Sequence, residues 1–291
     1  MENPLLELQE YENLQEALKK AKGPVQATGT LDSQKVHLMY WLGKDGGFPW
    51  KLVVTYDDQR AREIYDDFRS FTENVWLYPA KDLLFYSADI HGNLMTRQRI
   101  AVWRHLMEEK EGVVVTTLDG LMDHLLPLVF LKQQAVTVEN GQIMDLDEWK
   151  ERLTALGYER TAQVDGMGQF SIRGGIVDIF PLTEEVPVRI ELWDDEVDSI
   201  RSFDAQSQRS MENLEEITLY PAAELSPDQQ GYKGESLLDY IKEFRSLVFL
   251  DESNRLLERG KTVEKEYRQS FENRMEKGQI AKDQPEEIIA C

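Results

Sequence analysis

The segment from Gly29 to Val36 has the residue types and spacing of a partial nucleotide-binding motif. A phosphate-binding loop reads Gly, four residues, then Gly-Lys-Ser/Thr, and its backbone N–H groups and lysine hold the phosphates. Gly29 and Lys35 occupy the first glycine and the lysine positions, but Gln34 places a side chain where the backbone must curl around the anion. Val36 has no hydroxyl to offer Mg²⁺. The sequence therefore predicts a degenerate loop that does not bind nucleotide.

A second element of a nucleotide site follows the apolar run Leu247–Leu250. Asp251 and Glu252 come directly after this run, in the position of the acid pair that holds Mg²⁺ and orients water in nucleotide hydrolases. Alternatively, Asp251 or Ser253 caps the helix that follows. Because the loop is degenerate, the cap is the favoured interpretation. A nucleotide-dependent ATPase that uses Lys35 with the two acids is the alternative function.

The remaining reactive residue types show no catalytic or metal-binding pattern. The four histidines are scattered without the spacing of a metal site, and no serine lies in a nucleophile elbow. The single cysteine is Cys291, which excludes an internal disulfide and a thiolate metal cage. We therefore predict no catalytic residue, no metal ligand and no cofactor in this chain.

The segment Pro187–Trp193 alternates strictly between apolar and other side chains, as a strand with one buried face does. Its outward positions are Arg189, Glu191 and Trp193. The preceding strand predicts Arg173 on the same outer face, before a glycine pair that permits a close backbone approach. The inward positions of the two strands are Phe170, Ile172, Val188, Ile190 and Leu192, and Ser171 is predicted to point outward.

Arginine and tryptophan on an exposed sheet are the residue types enriched at binding hot spots. The stretch Phe170–Asp204 is therefore a candidate docking surface. The alternative is that a loop covers Trp193 and that the arginines pair with Glu191 or Asp198. Alternation by itself does not separate the two interpretations.

Strands alternate with helices through the first 131 residues, which predicts a parallel sheet covered on both faces. After Lys132 the pattern changes to short alternating strands, with a turn signal at Asn140-Gly141. The predicted strands of the first region are Val25–Gly29, Lys51–Tyr56, Val75–Tyr78 and Val113–Thr117. Its predicted helices are one between Pro4 and Gly23, Asp32–Leu42, one capped by Asp57, and 93–109.

The predicted fold class is α/β in three segments. A degenerate P-loop-like parallel-sheet domain spans 1–131, an inserted α+β, β-rich docking domain spans 132–224, and a helical return spans 225–291. A linker is predicted at 226–228, where Ser-Pro-Asp occurs. The net charge of −21 argues against binding to phosphate backbones or anionic lipid by this chain alone. No apolar run is long enough to span a bilayer, so we expect a cytoplasmic protein with no membrane partner.

Two stretches of the β-rich region resemble known signatures. Ile172–Pro181 carries Arg-Gly-x-x-x-Asp-x-Phe-Pro, and Arg189–Arg201 carries Trp-Asp-Asp-Glu-x-Asp-x-x-Arg after its first four residues. Both are similar to signatures shared by the nucleotide-excision-repair protein UvrB and the bacterial transcription-repair-coupling factors. Asp204–Arg209, Leu219–Glu224 and the degenerate loop at Gly29–Val36 are more similar to the coupling factors.

The resemblance implies a UvrB-like module that has lost ATP binding and docks onto UvrA. The positions that match the family's UvrA-contacting residues are Arg173, Arg189 and Trp193. At the position of Trp193 the family usually has Phe. Glu191 is a further candidate contact residue. In full-length members an intramolecular contact masks this surface. Contacts with RNA polymerase and DNA, and the translocase that uses ATP and Mg, lie in regions beyond this chain. The resemblance thus implies a non-catalytic N-terminal fragment.

Overall fold

A computed structural model describes residues 2–81, 90–224 and 231–276 of the chain. The predicted linker at 226–228 and Cys291 lie outside these residues. In chain order the elements are α1 (Gln9–Lys20), α2 (Asp32–Asp45), β1 (Trp50–Thr55), α3 (Asp58–Phe68), β2 (Val75–Tyr78), α4 (Ile90–Glu108), β3 (Gly112–Thr117), α5 (Leu118–Leu121), α6 (Leu128–Gln134), β4 (Val136–Glu139), α7 (Leu146–Ala155), β5 (Glu159–Arg160), β6 (Gln169–Arg173), β7 (Ile176–Ile179), β8 (Val188–Trp193), β9 (Glu196–Phe203), β10 (Ser210–Leu214), β11 (Glu216–Leu219), α8 (Leu237–Lys242), β12 (Ser246–Leu250) and α9 (Ser253–Glu276).

The described residues form two compact units, of which unit 1 draws on the described residues within 1–81, 109–123 and 236–291. Its sheet is parallel throughout, with strand order β12-β1-β3-β2. Every residue of β1 and β3 is buried, which explains why both strands read as near-continuous apolar runs. Asp57 caps α3 as predicted, since its carboxylate accepts a hydrogen bond from the backbone N–H of Arg60 at 2.8 Å.

The strand pairing corrects one expectation for unit 1 and adds one pairing that the sequence does not predict. The predicted strand Val25–Gly29 is not a strand, and it is mostly exposed, because no neighbouring strand lies beside it to accept its hydrogen bonds. The strand β12 comes from the third predicted segment but pairs in parallel with β1. The helical return therefore completes the first sheet.

Unit 2 draws on the described residues within 82–108 and 124–235, and its main sheet has the strand order β10-β9-β8-β7-β6-β5. The pairs from β6 to β10 are antiparallel, and β5 joins β6 in parallel. One face of this sheet packs with α7 and the short β4–β11 sheet into a core that includes Phe170, Val177, Ile190 and Ile200. The opposite face is called the outer sheet face below.

The helix α4 groups with unit 2, although the predicted ranges place it with the first domain. Arg99 on this helix is 1% exposed and forms an ion pair with Glu224, with 3.1 Å between Nη2 and Oε2. Arg104 binds Glu184 at 3.0 Å. The boundaries of the compact units therefore differ from the predicted domain boundaries at 131 and 224. In the part of the chain that the structure describes, no helix has the length and apolar character of a membrane span.

Candidate functional site

Strand register places the outward side chains of β6, β7, β8 and β9 in rows across the outer sheet face. Ser171 pairs with Asp178, Asp178 with Arg189, and Arg189 with Arg201. In an antiparallel sheet, residues directly opposite each other point to the same face. The row therefore brings one carboxylate between the strands that carry the predicted arginines.

Asp178 is the buried centre of the outer sheet face. Its side chain is fully buried, and both of its oxygens accept hydrogen bonds from arginine. Arg189 donates from Nε to Oδ1 at 2.6 Å and from Nη2 to Oδ2 at 2.9 Å, which is the bidentate geometry of a strong pair. Arg173 donates from Nη2 to Oδ2 at 2.7 Å. One carboxylate thus fixes the positions of both guanidinium groups.

Arg189 is held on three sides. Its Nη2 and Nη1 also donate to the side-chain and backbone oxygens of Gln208, at 3.2 and 3.4 Å. Its guanidinium carbon lies 4.6 Å from the centroid of the Phe203 ring, a cation–π distance. The pKa of Arg189 is raised above its usual value, chiefly by the hydrogen bonds to Asp178. This arginine therefore stays charged and is largely immobilised, with a side chain 15% exposed.

Arg173 differs from Arg189 because 48% of its side chain is exposed. Within the described residues, Asp178 is its only hydrogen-bond partner, and the rest of its guanidinium faces solvent. It sits at the end of β6, where Gly174 takes a φ of +60° in the turn and the next glycine lies close to the backbone of Leu192. One nitrogen of Arg173 is thus bound to Asp178, and its other nitrogens are available to donate to a partner.

Part of the outer sheet face is covered, which the alternation of side chains does not predict. Ser171 points to the outer sheet face as predicted, but it is 1% exposed and donates to the backbone oxygen of Ala162 at 3.0 Å. Val164, Phe180 and Phe203 form a small second core on this side. Ser171 is covered because a loop folds back over the sheet there.

Glu191 and Arg201 form a second ion pair on the outer sheet face, between Nη2 of the arginine and Oε2 of the glutamate. Ser199 also donates to Glu191, at 3.3 Å. Both charged side chains are about one third exposed. Glu191 is therefore already satisfied within the chain.

Trp193 ends β8 and is 79% exposed, which is the largest exposed fraction of any large apolar residue in the part of the chain that the structure describes. It precedes a tight hairpin turn in which Asp194 has a φ of +58°. The alternative in which a loop covers Trp193 is therefore wrong. The other half of that alternative is also wrong, because the arginines pair with Asp178 and not with Glu191 or Asp198.

Three residues of this face were missed from the sequence as site residues: Asp178, Arg201 and Gln208. Asp178 and Arg201 do lie within the two signatures of the β-rich region, and the alternation of β8 and β9 places Arg201 outward. The position of Gln208 depends on a φ of +59° in a loop, for which the sequence carries no clear signal.

Three residues of the predicted nucleotide site, Lys35, Asp251 and Glu252, lie close together in unit 1. With Asp32 and Arg60 they form an ion-pair network that we call the Lys35 cluster. The Lys35 ammonium lies 3.0 Å from Asp251, 2.5 Å from Glu252 and 3.0 Å from Asp32. Arg60 binds the other oxygen of Asp251 at 3.1 Å. Burial alone would lower the pKa of Lys35, but its hydrogen bonds to the three carboxylates raise it above the usual value.

The Lys35 cluster also shows that Asp251, one of the two residues predicted as the helix cap beside Ser253, does not serve as that cap. Asp251 is 2% exposed, and its oxygens accept from Lys35, Arg60 and Thr55 rather than from the first turn of α9. These contacts cross from strand ends to helices, so sequence proximity could not reveal them. Lys35 thus binds Asp251 and Glu252, the two acids at the positions that hold a metal ion in nucleotide hydrolases.

The other loop positions have structural roles or lie in solvent. The side chain of Gln34 accepts a hydrogen bond from the backbone N–H of Leu31 at 3.1 Å, at the start of α2. Val36 is 1% exposed and packs in the core of unit 1. Gly29 has a φ of +85° and lies in the open. Among the described residues, no three His, Cys, Asp or Glu side chains group as a metal site.

Comparisons with known proteins agree with the signature in the β-rich region. The family model of the UvrB interaction domain matches residues 136–225. The transcription-repair-coupling factor of Bacillus subtilis (strain 168) is 39% identical over 176 residues, covering 60% of this chain and 15% of that protein. Those of Staphylococcus aureus (strain MRSA252) and Staphylococcus haemolyticus (strain JCSC1435) are each 35% identical over 175 residues, with the same two coverages.

The chain spans about 15% of the length of the curated relatives it matches. The matched domain contains the whole outer sheet face, from Arg173 to Arg201. The resemblance predicted from the sequence is thereby confirmed: residues 136–225 match the UvrB interaction domain, and the chain is similar to the transcription-repair-coupling factors over 60% of its length.

Proposed function

We propose that the outer sheet face docks onto UvrA and that the chain acts as a non-catalytic docking module in nucleotide excision repair. The observation that carries the proposal is the exposed Trp193 on the same face as two arginines fixed by a buried carboxylate. A preset cation pair beside a large exposed aromatic side chain has the composition of a binding hot spot. As part of a longer coupling factor in the cytoplasm, the module would recruit UvrA to a stalled RNA polymerase.

Binding of the chain to purified UvrA, measured by calorimetry, tests the proposal. Replacing Trp193 by Ala is expected to weaken binding roughly thirtyfold or more, the effect of a hot-spot side chain worth about 2 kcal/mol. Arg173→Glu should have the larger effect and abolish binding, because it reverses the exposed charge. The matched control is Arg160→Glu, an exposed arginine on β5 whose register partner is the inward-facing Phe170. Equal binding by wild type and both site variants would contradict the proposal.

The ATPase alternative is disfavoured by the Lys35 cluster, because its lysine is neutralised by three carboxylates. We expect no heat of binding when Mg-ATP is titrated into the chain. Measurable binding that Lys35→Ala abolishes would instead establish a nucleotide site and overturn this part of the proposal.

The same outer sheet face is a candidate for an intramolecular contact that masks it in a longer protein. Exposed Trp193 and half-exposed Arg173 would serve either contact. Adding this chain in trans to a coupling factor that lacks it should suppress the factor's ATPase activity, and Arg173→Glu should relieve that suppression. Unchanged ATPase activity on addition of the wild-type chain would contradict masking.

A further inference from the structure

Ile143 is a large apolar residue held in an exposed position beside β9. The segment from Gly141 to Met144 runs along the start of this strand and is fixed by backbone hydrogen bonds. Gly141 donates to Val197 at 2.8 Å, Val197 donates to Gln142 at 2.9 Å, and Met144 donates to Asp195 at 2.7 Å. Ile143 forms an antiparallel bridge with Glu196 and is 61% exposed.

Register relates Ile143 to Trp193 through a shared neighbour. Glu196 pairs with Trp193 on one side and bridges to Ile143 on the other. Directly paired residues of antiparallel strands point to the same face, so all three side chains lie on the outer sheet face. Two strand spacings separate Trp193 from Ile143, or about 10 Å between their backbones. One partner surface can cover both side chains if its apolar patch is accompanied by a basic group that meets Glu196 between them.

The exposure of Ile143 does not reflect a loosely held segment. Its chain neighbour Met144 points inward and is 1% exposed, as is Val197 beside it. Single exposed apolar side chains are common on protein surfaces. Two large ones in the same row, each with well over half of its surface in solvent, form a patch of the kind that marks interaction sites.

The charges around this patch indicate the chemistry of the partner. The hairpin turn supplies Asp194, Asp195 and Glu196, which are all exposed. At the other end of the face, three arginines (Arg173, Arg189, Arg201) stand against two carboxylates (Asp178, Glu191), a local excess of one positive charge. A complementary partner surface presents basic side chains around an apolar patch at the hairpin end and acidic groups at the arginine end.

We propose that Ile143 is a second apolar anchor of the docking surface and that Ile143 and Trp193 together bind one apolar patch of UvrA that is rimmed by Lys or Arg. The proposal rests on UvrA docking by the outer sheet face and extends that surface across β9 to the segment before α7. Contacts to both anchors make their contributions interdependent, because they share one partner patch.

Calorimetry with UvrA and the full chain tests the extension. Ile143→Thr keeps β-branching while removing apolar surface, and is expected to weaken binding about five- to tenfold. Val129→Thr is the matched control, since Val129 on α6 is 70% exposed and its replacement should change affinity less than about twofold. Glu196→Lys should weaken binding further, because it opposes the basic rim. The effects of Ile143→Thr and Trp193→Ala should fall short of additive in the double variant.

The outcomes separate this inference from the function on which it rests. If Arg173→Glu abolishes binding while Ile143→Thr leaves it unchanged, UvrA docking stands and the extension is wrong. If the wild-type chain does not bind UvrA, both are wrong. If Glu196→Lys tightens binding, the basic rim is wrong. If Val129→Thr weakens binding as much as Ile143→Thr does, the loss is not specific to the patch and the extension fails. Matching thermal unfolding curves for all variants exclude misfolding as the cause of a loss.

Discussion

Asp178→Asn is the perturbation that most directly tests how the docking surface is built. The change keeps the shape of the side chain but removes the charge that both arginines bind. Asp178 is fully buried and accepts three charge-assisted hydrogen bonds from Arg173 and Arg189. The variant leaves the two arginines beside a neutral amide with a single acceptor oxygen, and Arg189 keeps Gln208 as a second partner.

The magnitude follows from the exposure of each arginine. Removing one partner of a fully buried ion pair costs about 3–5 kcal/mol. Arg189 is 15% exposed and keeps its contacts with Gln208, so the free energy lost with its ion pair is lower than that of a fully buried pair. Arg173 is 48% exposed, and solvent screening reduces its pair to less than about 1 kcal/mol. We therefore expect Asp178→Asn to lower the unfolding free energy of unit 2 by about 2–4 kcal/mol.

Native-state hydrogen exchange in the backbone amides of β7, β8 and β9 measures this loss without assuming that the whole chain unfolds in one step. Asp198→Asn is the control, because Asp198 is exposed and its loss should cost less than about 0.5 kcal/mol. UvrA affinity should fall with Asp178→Asn even under conditions where unit 2 remains folded. A change below about 1 kcal/mol in the opening free energy would show that Asp178 does not organise this face.

Three further predictions concern positions away from the docking surface. Gly157→Ala should destabilise unit 2 by about 1–3 kcal/mol in urea unfolding, because Gly157 has a φ of +87° and an added Cβ would lie 2.6 Å from that of Ala223. Lys35→Met should lower the stability of unit 1 by about 1–3 kcal/mol, since it leaves a buried carboxylate short of a partner. Burial would raise the pKa of Asp239, but hydrogen bonds from Lys242 and Ser236 lower it from 3.8 to about 2. The stability that Asp239 contributes, below about 1 kcal/mol after screening, is therefore present above pH 3.8 and lost as the pH falls toward 2, and Asp239→Asn should remove this dependence in acid urea titrations.

The sequence predicts those elements of the fold whose signal is local. The buried runs of β1 and β3, and the helix capped by Asp57, are confirmed within a residue or two. The strand Val25–Gly29 fails because a short β-favouring run needs a neighbouring strand, and pairing is a property of the tertiary fold. The pairing of β12 with β1 joins residues about 200 positions apart, so no local pattern indicates it.

The same distinction applies to the candidate site. Alternation places Arg173, Arg189 and Trp193 on one face, and the structure agrees for all three. Nothing local shows that Asp178 is buried, because an acid on a strand has the same pattern whether it faces solvent or a pair of arginines. Its role emerges only when register sets it opposite Arg189. Similarly, the predicted acid pair after β12 is found next to Lys35, but its role as an ion-pair partner depends on contacts across unit 1.

The two arginines of the docking surface should contribute to binding in different ways. Arg189 is already fixed by Asp178, Gln208 and Phe203, so a partner does not have to order a side chain whose rotamer entropy is about 2 kcal/mol. The same contacts mean that replacing Arg189 also disturbs the fold. Arg173 is anchored at one nitrogen only and can give its free donors to a partner with little effect on stability. A loss of UvrA binding on replacing Arg173 therefore reports recognition, whereas a loss on replacing Arg189 mixes recognition with the integrity of the sheet.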